Sequence, residues 1–255
     1  MMRYSTRFIP SLFTVLNLFC GFLSVISATS GNLNQACLFI IYAALFDAFD
    51  GVVARFTGTS SRFGVELDSL ADVVSFGFAP SVILYEFYFN HLDGLGIAIA
   101  SLPLIFGALR LARFNAQLVG FDKNYFIGVP VPITAITISS FFLFHFNKNF
   151  STELSTALVY ILTFLLPALM ISKFKYDITP KFSKREFKLH PVKTILVILI
   201  IIMVFATRGE GLFPFCIFYL ITGIYRGVSS GLRRMFRPTR HQGDEEENLK
   251  YKTSN

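Results

Sequence analysis

Charge is scarce in this chain. Only 15% of its 255 residues are Asp, Glu, Lys or Arg, while 53% are hydrophobic. Mean hydropathy is +0.58. This excludes an ordinary soluble domain with a polar surface. Metal-type cysteine spacing is also missing: Cys20, Cys37 and Cys216 lie far apart and read as small apolar residues in helices. The four histidines are scattered and read as loop or helix-end residues. There is no internal repeat. A net charge of +7 raises the question of nucleic acid, but no recognition motif accompanies it, so that partner is set aside.

What is present is apolar sequence in long runs. Several approach or exceed the roughly 18 to 20 residues that cross a bilayer. The reading is an all-α, polytopic membrane protein of about eight transmembrane helices. Helices are predicted over 8–28, 34–56, 64–89, 95–115, 133–146, 154–171, 192–206 and 212–228. The first competes with a signal peptide, since SATSG resembles a cleavage site. Its apolar part exceeds the roughly 7 to 15 residues usual there, and Asn17 in its middle suits a retained helix. The fifth is short for a span and can begin inside the preceding GVPVP segment.

Of the 23 Lys and Arg, all but Lys148 and Arg208 fall on one side of this arrangement. The positive-inside rule then places both termini in the cytoplasm, with a bacterial inner membrane as the expected location. The segment 173–190 is basic; it can attract anionic lipid headgroups or serve as a plain anchor. The tail, 231–255, runs from RRMFRPTR to DEEE and reads as disordered at its end.

Four aspartates stand out against this background. Asp47 and Asp50 are spaced i, i+3; Asp68 and Asp72 are spaced i, i+4. Each pair shares one helix face. Both pairs border the short turn TGTSS and so lie at the same membrane face, the cytoplasmic one. Ionisable groups at membrane depth are costly and point to function. Four carboxylates in a small volume require cations, and oxygen-only ligands suit Mg²⁺ or Mn²⁺. A two-metal site is therefore expected. Two other readings stay open: helix caps, and a transporter that uses carboxylates for coupling ions.

The residues Asp47, Asp50, Gly51, Ala54, Arg55, Gly64, Asp68 and Asp72 fit D-x2-D-G-x2-A-R-x8-G-x3-D-x3-D at every fixed position. This resembles the signature of the CDP-alcohol phosphatidyltransferases. The resemblance implies a six-helix core over 1–172, usually dimeric, with a metal site open to the cytoplasm. The helices over 191–230 would be additions about which the motif is silent. It also implies Asp47, Asp50 and Asp68 as metal ligands, with Asp72 touching metal and taking the proton from the attacking hydroxyl. Gly51, Ala54 and Gly64 would leave room for the CDP-diacylglycerol donor. Arg55 would bond its phosphate or hold an aspartate; a cytoplasmic anchor is the alternative. Thr14 and Asn17 would face the nucleotide or make a helix–helix hydrogen bond.

FTVLNLFCG from Phe13, LDSLADVVSFGFAP from Leu67, RLARFN from Arg110 and GVPVP from Gly128 resemble the phosphatidylserine synthases within that family. The implied acceptor is L-serine; glycerol 3-phosphate and inositol are the other alcohols to weigh. Arg110 or Arg113 would grip its carboxylate through two hydrogen bonds. Asn115 and Ser75 are further candidates. The positive-inside bias alone also explains arginines at this helix end.

Overall fold

The computed structural model describes residues 5–57, 62–117, 125–146, 148–172, 175–177 and 206–235. Two long helices open the chain, α1 (Ser5–Thr29) and α2 (Leu33–Thr57). Gly31, at φ +79°, reverses the chain between them, a conformation glycine adopts without Cβ strain. α1 is built inside out relative to a soluble helix. It buries Thr14, Asn17, Ser24 and Ser27 and exposes Leu12, Val15, Phe19, Phe22 and Ile26. Polar groups facing a bundle interior and apolar groups facing outward suit hydrocarbon surroundings.

The next arm is one helix with two widened turns. α3 (Arg62–Asp72) runs into a π-helical turn, Val73–Phe78; α4 (Ala79–Leu84) follows, then a second wide turn, Tyr85–Phe89. Ala79 N–H bonds to Val74 O, five residues back. Pro80 directly after has no N–H to give the ordinary ladder, so widening the turn before it sacrifices little. A 3₁₀ turn, Asn90–Leu92, and Asp93 at φ 47° reverse the chain. α5 (Asp93–Ala100) and α6 (Leu102–Gln117) return along it. The single helix expected over 95–115 is thus two pieces, divided at Ser101, and the missing amide of Pro103 explains the break.

α7 (Val131–Ser140) continues into a third wide turn, Phe141–His145. It begins inside the proline segment, as the short length of the fifth predicted helix suggested. α8 (Thr152–Ile171) starts at Ser151, whose side chain accepts from Leu154 N–H. α9 (Leu212–Met235) packs along α7. One departure from an all-helical chain is a small antiparallel ribbon: β1 (Tyr125–Ile127) pairs with β2 (Lys175–Asp177).

Among the described residues, four stretches are long and apolar enough to cross a membrane: Leu12–Thr29, Leu33–Ala54, Phe63–Ala116, which doubles back near 90–93, and Thr152–Ile171. Val131–His145 and Leu212–Gly227 are shorter apolar helices. The helix predicted over 192–206 lies outside the described residues apart from its last position. So do the tail beyond 235 and most of the basic segment 173–190.

Candidate active site

Asp47 stands near the end of α2, and Asp68 and Asp72 stand on α3. One carboxylate oxygen from each lies within 4.8 Å of the other two. Only four residues separate α2 from α3, and both helices pack on α1, which brings the two aspartate faces together. Asp50 is not part of this group. It lies one turn further along α2, its Oδ2 accepts from Thr14 Oγ1 at 2.5 Å, and its Oδ1 is buried without a partner. The expected cluster of four carboxylates is therefore three together and one beside them, within electrostatic range of Asp47 and Asp68.

α1 holds these groups from the other side. Asn17 Nδ2 donates to Asp72 Oδ1 across a long 3.4 Å, and Asn17 Oδ1 is left buried and unpartnered. Ser75 Oγ donates to Asn17 O at 2.9 Å. A Cβ on Gly21 would collide with Ser75, so only glycine lets the π-helical turn approach α1 this closely. Thr14 and Asn17 thus reach aspartates directly. Ser75, expected near the acceptor, has its hydroxyl on the backbone of α1. Gly51, Ala54 and Gly64 are half-buried on α2 and α3. The side chain of Arg55 lies outside the described residues.

The two arginines of α6 divide. Arg113 bonds to Ile171 O at 3.2 Å and Met170 O at 3.5 Å, capping the end of α8. Gly128, at φ +78°, lies against the same end, where a Cβ would strike Met170 O, and Val129 N–H bonds to Leu169 O. RLARFN and GVPVP therefore meet at one helix terminus. Arg110 instead points inward, only 7% exposed. It interacts electrostatically with Asp72 and, from α9, with Tyr219, and its Nε is buried without a hydrogen-bond partner. Asn115 Nδ2 donates to Ser69 Oγ at 2.8 Å, tying α6 to α3. Sequence reading missed Tyr219 because it lies far beyond the aspartate signature, with no spacing that links it to Arg110.

Three converging carboxylates, a fourth with an unused buried oxygen, and no nitrogen or sulfur donor among them form a set suited to hard divalent cations. An inward arginine beside them offers N–H donors to an anion.

Comparison with known proteins follows this geometry. The CDP-alcohol phosphatidyltransferase family model matches residues 7–170. A CDP-diacylglycerol–serine O-phosphatidyltransferase of Helicobacter pylori is 39% identical over 220 residues, 86% of this chain and 90% of that protein. An archaetidylserine synthase of Methanothermobacter thermautotrophicus is 42% identical over 170 residues, 66% of this chain and 69% of that protein. A CDP-diacylglycerol–serine O-phosphatidyltransferase of Bacillus subtilis is 36% identical over 178 residues, 70% of this chain and 93% of that protein. The family match covers more than half of the chain and every helix that carries an aspartate of the site, and on that ground this integral membrane protein belongs to the CDP-alcohol phosphatidyltransferase family.

Proposed function

We propose that this enzyme transfers the phosphatidyl group of CDP-diacylglycerol to the hydroxyl of L-serine, giving phosphatidylserine and CMP. The observation that carries the reading is the Asp47–Asp68–Asp72 cluster with Arg110 buried beside Asp72. The similar proteins named above share serine in their names while differing in the lipid, which favours serine as the acceptor.

Asp47, Asp68 and Asp72 would hold Mg²⁺ or Mn²⁺, with Asp50 contributing its unused Oδ1 as the fourth carboxylate. Bound divalent cations would supply neutralisation of the donor phosphates and of the departing oxygen. Thr14 and Asn17 orient Asp50 and Asp72 as outer-shell partners do. Gly51, Ala54 and Gly64 would leave the α2–α3 face low enough for the nucleotide, and Arg55 would bond its phosphate. In the reaction the serine oxygen bonds to the phosphatidyl phosphorus. The bond from that phosphorus to the bridging oxygen breaks, and CMP leaves with that electron pair. Asp72 accepts the hydroxyl proton. Arg110 holds the serine carboxylate and keeps the hydroxyl turned toward phosphorus.

We place both termini and this site in the cytoplasm, with eight crossings in all, a core over 1–172 and a homodimeric assembly. The distribution of Lys and Arg supports the orientation. A cysteine at position 60 should then react only from the cytoplasm and one at Asn149 only from outside.

The test is acceptor choice. Full-length protein in detergent receives CDP-diacylglycerol and Mn²⁺ or Mg²⁺, then serine, glycerol 3-phosphate or inositol separately. Phosphatidylserine is the expected product, with stoichiometric CMP. Product from glycerol 3-phosphate or inositol and none from serine overturns the acceptor. CMP release with no acceptor at all refutes the transfer itself.

A further inference from the structure

Thr14 meets Asp50, and Asn17, one turn further along α1, meets Asp72. The side chain of Asn17 is fully buried. Its Nδ2 donates to Asp72 Oδ1 at 3.4 Å. Its backbone carbonyl accepts from Ser75 Oγ at 2.9 Å. Gly21, one turn on, lets α1 and the wide turn Val73–Phe78 touch, so the backbone that carries Asn17 is pinned on the face that bears it. A carboxylate accepts and does not donate, so the amide must turn its N–H₂ toward Asp72 and its Oδ1 away. That oxygen is buried and has no hydrogen-bond partner. Such an atom carries a desolvation cost that a donor from a ligand would remove. Of the unpartnered atoms at this end, Asp50 Oδ1 belongs to a carboxylate and suits a cation, and Arg110 Nε is a donor. Asn17 Oδ1 is the neutral acceptor among them, held beside the carboxylate proposed to take the proton.

We infer that Asn17 Oδ1 accepts a hydrogen bond from the ammonium of the acceptor, so that Asn17 selects an amino alcohol over other alcohols. The inference rests on the proposed transfer to serine. In serine the ammonium stands on the carbon next to the one that bears the hydroxyl. In Asn17 the free Oδ1 stands on the same amide as the Nδ2 that holds Asp72. A hydroxyl directed at Asp72 therefore brings its ammonium to that amide. An ammonium has donors only and needs an acceptor. Asp47, Asp68 and Asp72 would accept it, but there it would compete with the divalent cations they suit. A neutral amide oxygen takes the N–H without that competition. The serine carboxylate is left for Arg110, so the amino acid is read from α1, α3 and α6 together. Glycerol 3-phosphate and inositol have no ammonium and would leave Oδ1 unpaired. A site built to bond a group rejects an analogue that lacks it for this reason. Two other donors compete for the role, the amino group of the cytosine and a water on a bound cation, and the experiment separates them from serine.

The experiment uses the full-length enzyme in detergent with CDP-diacylglycerol, Mn²⁺ and serine. Asn17→Leu keeps the outline of the side chain and removes both polar atoms. Loss of the bond to Asp72 should lower kcat. Loss of the bond to the ammonium should separately raise the serine KM roughly tenfold, as removal of one hydrogen bond to a charged group does. The CDP-diacylglycerol KM and the Mn²⁺ dependence should stay within about twofold of wild type, a split that mere support of Asp72 would not give. 3-Hydroxypropanoate, which is serine without its ammonium, is then offered as a competitor of serine. Its Ki should agree within about threefold between wild type and Asn17→Leu, since it never makes the contact removed. No competition in either protein agrees with a site that demands the ammonium, and the serine KM then decides alone. If Asn17→Leu does not accumulate folded, Asn17→Ser, whose hydroxyl is too short to serve both partners, should raise the serine KM likewise. An unchanged serine KM beside a lower kcat reduces Asn17 to a support of Asp72. A parallel rise in the CDP-diacylglycerol KM assigns Oδ1 to the nucleotide, and a raised Mn²⁺ requirement assigns it to a metal-bound water. A Ki that rises in step with the serine KM means that the whole pocket has shifted. Each of these overturns the inference. A wild type that makes no phosphatidylserine removes the proposed function itself, whereas a wild type that uses serine beside a variant with unmoved KM leaves that function standing and sinks the inference alone.

Discussion

The two ends of the bundle differ in how completely their buried polar atoms are paired. At the end where α7 gives way to α8, His145 Nε2 contacts Glu210 O at 3.1 Å and its Nδ1 meets Asn149 Nδ2 at 3.1 Å. Lys148 Nζ donates to Leu143 O. Phe141, Phe142, Phe146, Phe150 and Phe213 close around them. At the aspartate end, Asn17 Oδ1, Asp50 Oδ1 and Arg110 Nε are buried without partners; the other such atoms among the described residues, Thr134 Oγ1 and Ser139 Oγ, are on α7. A protein tolerates few such atoms because each carries a desolvation cost. One end has its buried polar side chains paired apart from Ser139 Oγ, close to Phe141. The other is incomplete without a ligand, and that contrast separates scaffold from site more sharply than hydrophobicity does.

The largest effect that could break this contrast concerns the carboxylates. Asp47→Asn, Asp68→Asn and Asp72→Asn should each lower CMP release by more than about 100-fold, beyond what loss of an outer-shell partner costs. Melting temperature in detergent should hold or rise, since a repelling charge has gone. Asp50→Asn should fall in the same class. Normal turnover in Asp50→Asn alone would reduce the site to the triad, and normal turnover in any two of the triad would end the metal reading.

Next comes the pair of arginines, which differ in pairing over a single turn of α6. Arg110→Ala should raise the serine KM by a factor above about 30, as truncating one partner of a buried charge pair does. Arg113→Ala should leave that KM within about fivefold and instead cost about 1 to 3 kcal/mol of stability, because the last carbonyls of α8 lose their donor. Measuring serine KM and thermal unfolding on both variants decides the assignment. Reversed outcomes would make Arg113 the recognition residue.

The smallest effect belongs to the paired end. His145→Leu should leave kcat and both KM values within about twofold. Glu210 O would lose its partner at about 1 kcal/mol, lowering the melting temperature by roughly 2 to 4 °C. A large loss of turnover would mean that this end communicates with the site.

The sequence made the aspartates legible because helical geometry converts spacing into a shared face without any knowledge of tertiary contacts. The long helices were legible for a similar reason, since length and hydropathy are local properties. The reversal at Asn90–Asp93 also falls in the gap between the helices predicted over 64–89 and 95–115. Other features were not readable. Arg110 and Arg113 are i, i+3 and look equivalent, yet Arg113 meets the end of α8, nearly 60 residues away, and Arg110 is buried within electrostatic range of Asp72. The pairing of Tyr125–Ile127 with Lys175–Asp177 joins segments whose own composition gives no strand signal strong enough to predict. The widened turns depend on a local hydrogen-bond choice that Pro80 permits without demanding.

The wide turn at Val73–Phe78 has a consequence for how the aspartate arm can vary. Each residue of an ordinary helix advances the azimuth by about 100°. An added residue absorbed within one broadened turn works as a phase shifter on a shaft: the half bearing Asp68 and Asp72 and the half bearing Ser81 keep separate angular settings. Ser81 Oγ accepts from Leu104 N–H and fixes the second setting against α6. Regularising this turn with its residue count kept would rotate one half against the other by about 100° and swing the carboxylates away from Asp47, even though no site residue had changed. Sequence can therefore drift on either side of this turn, but its width is fixed by the aim of the aspartates.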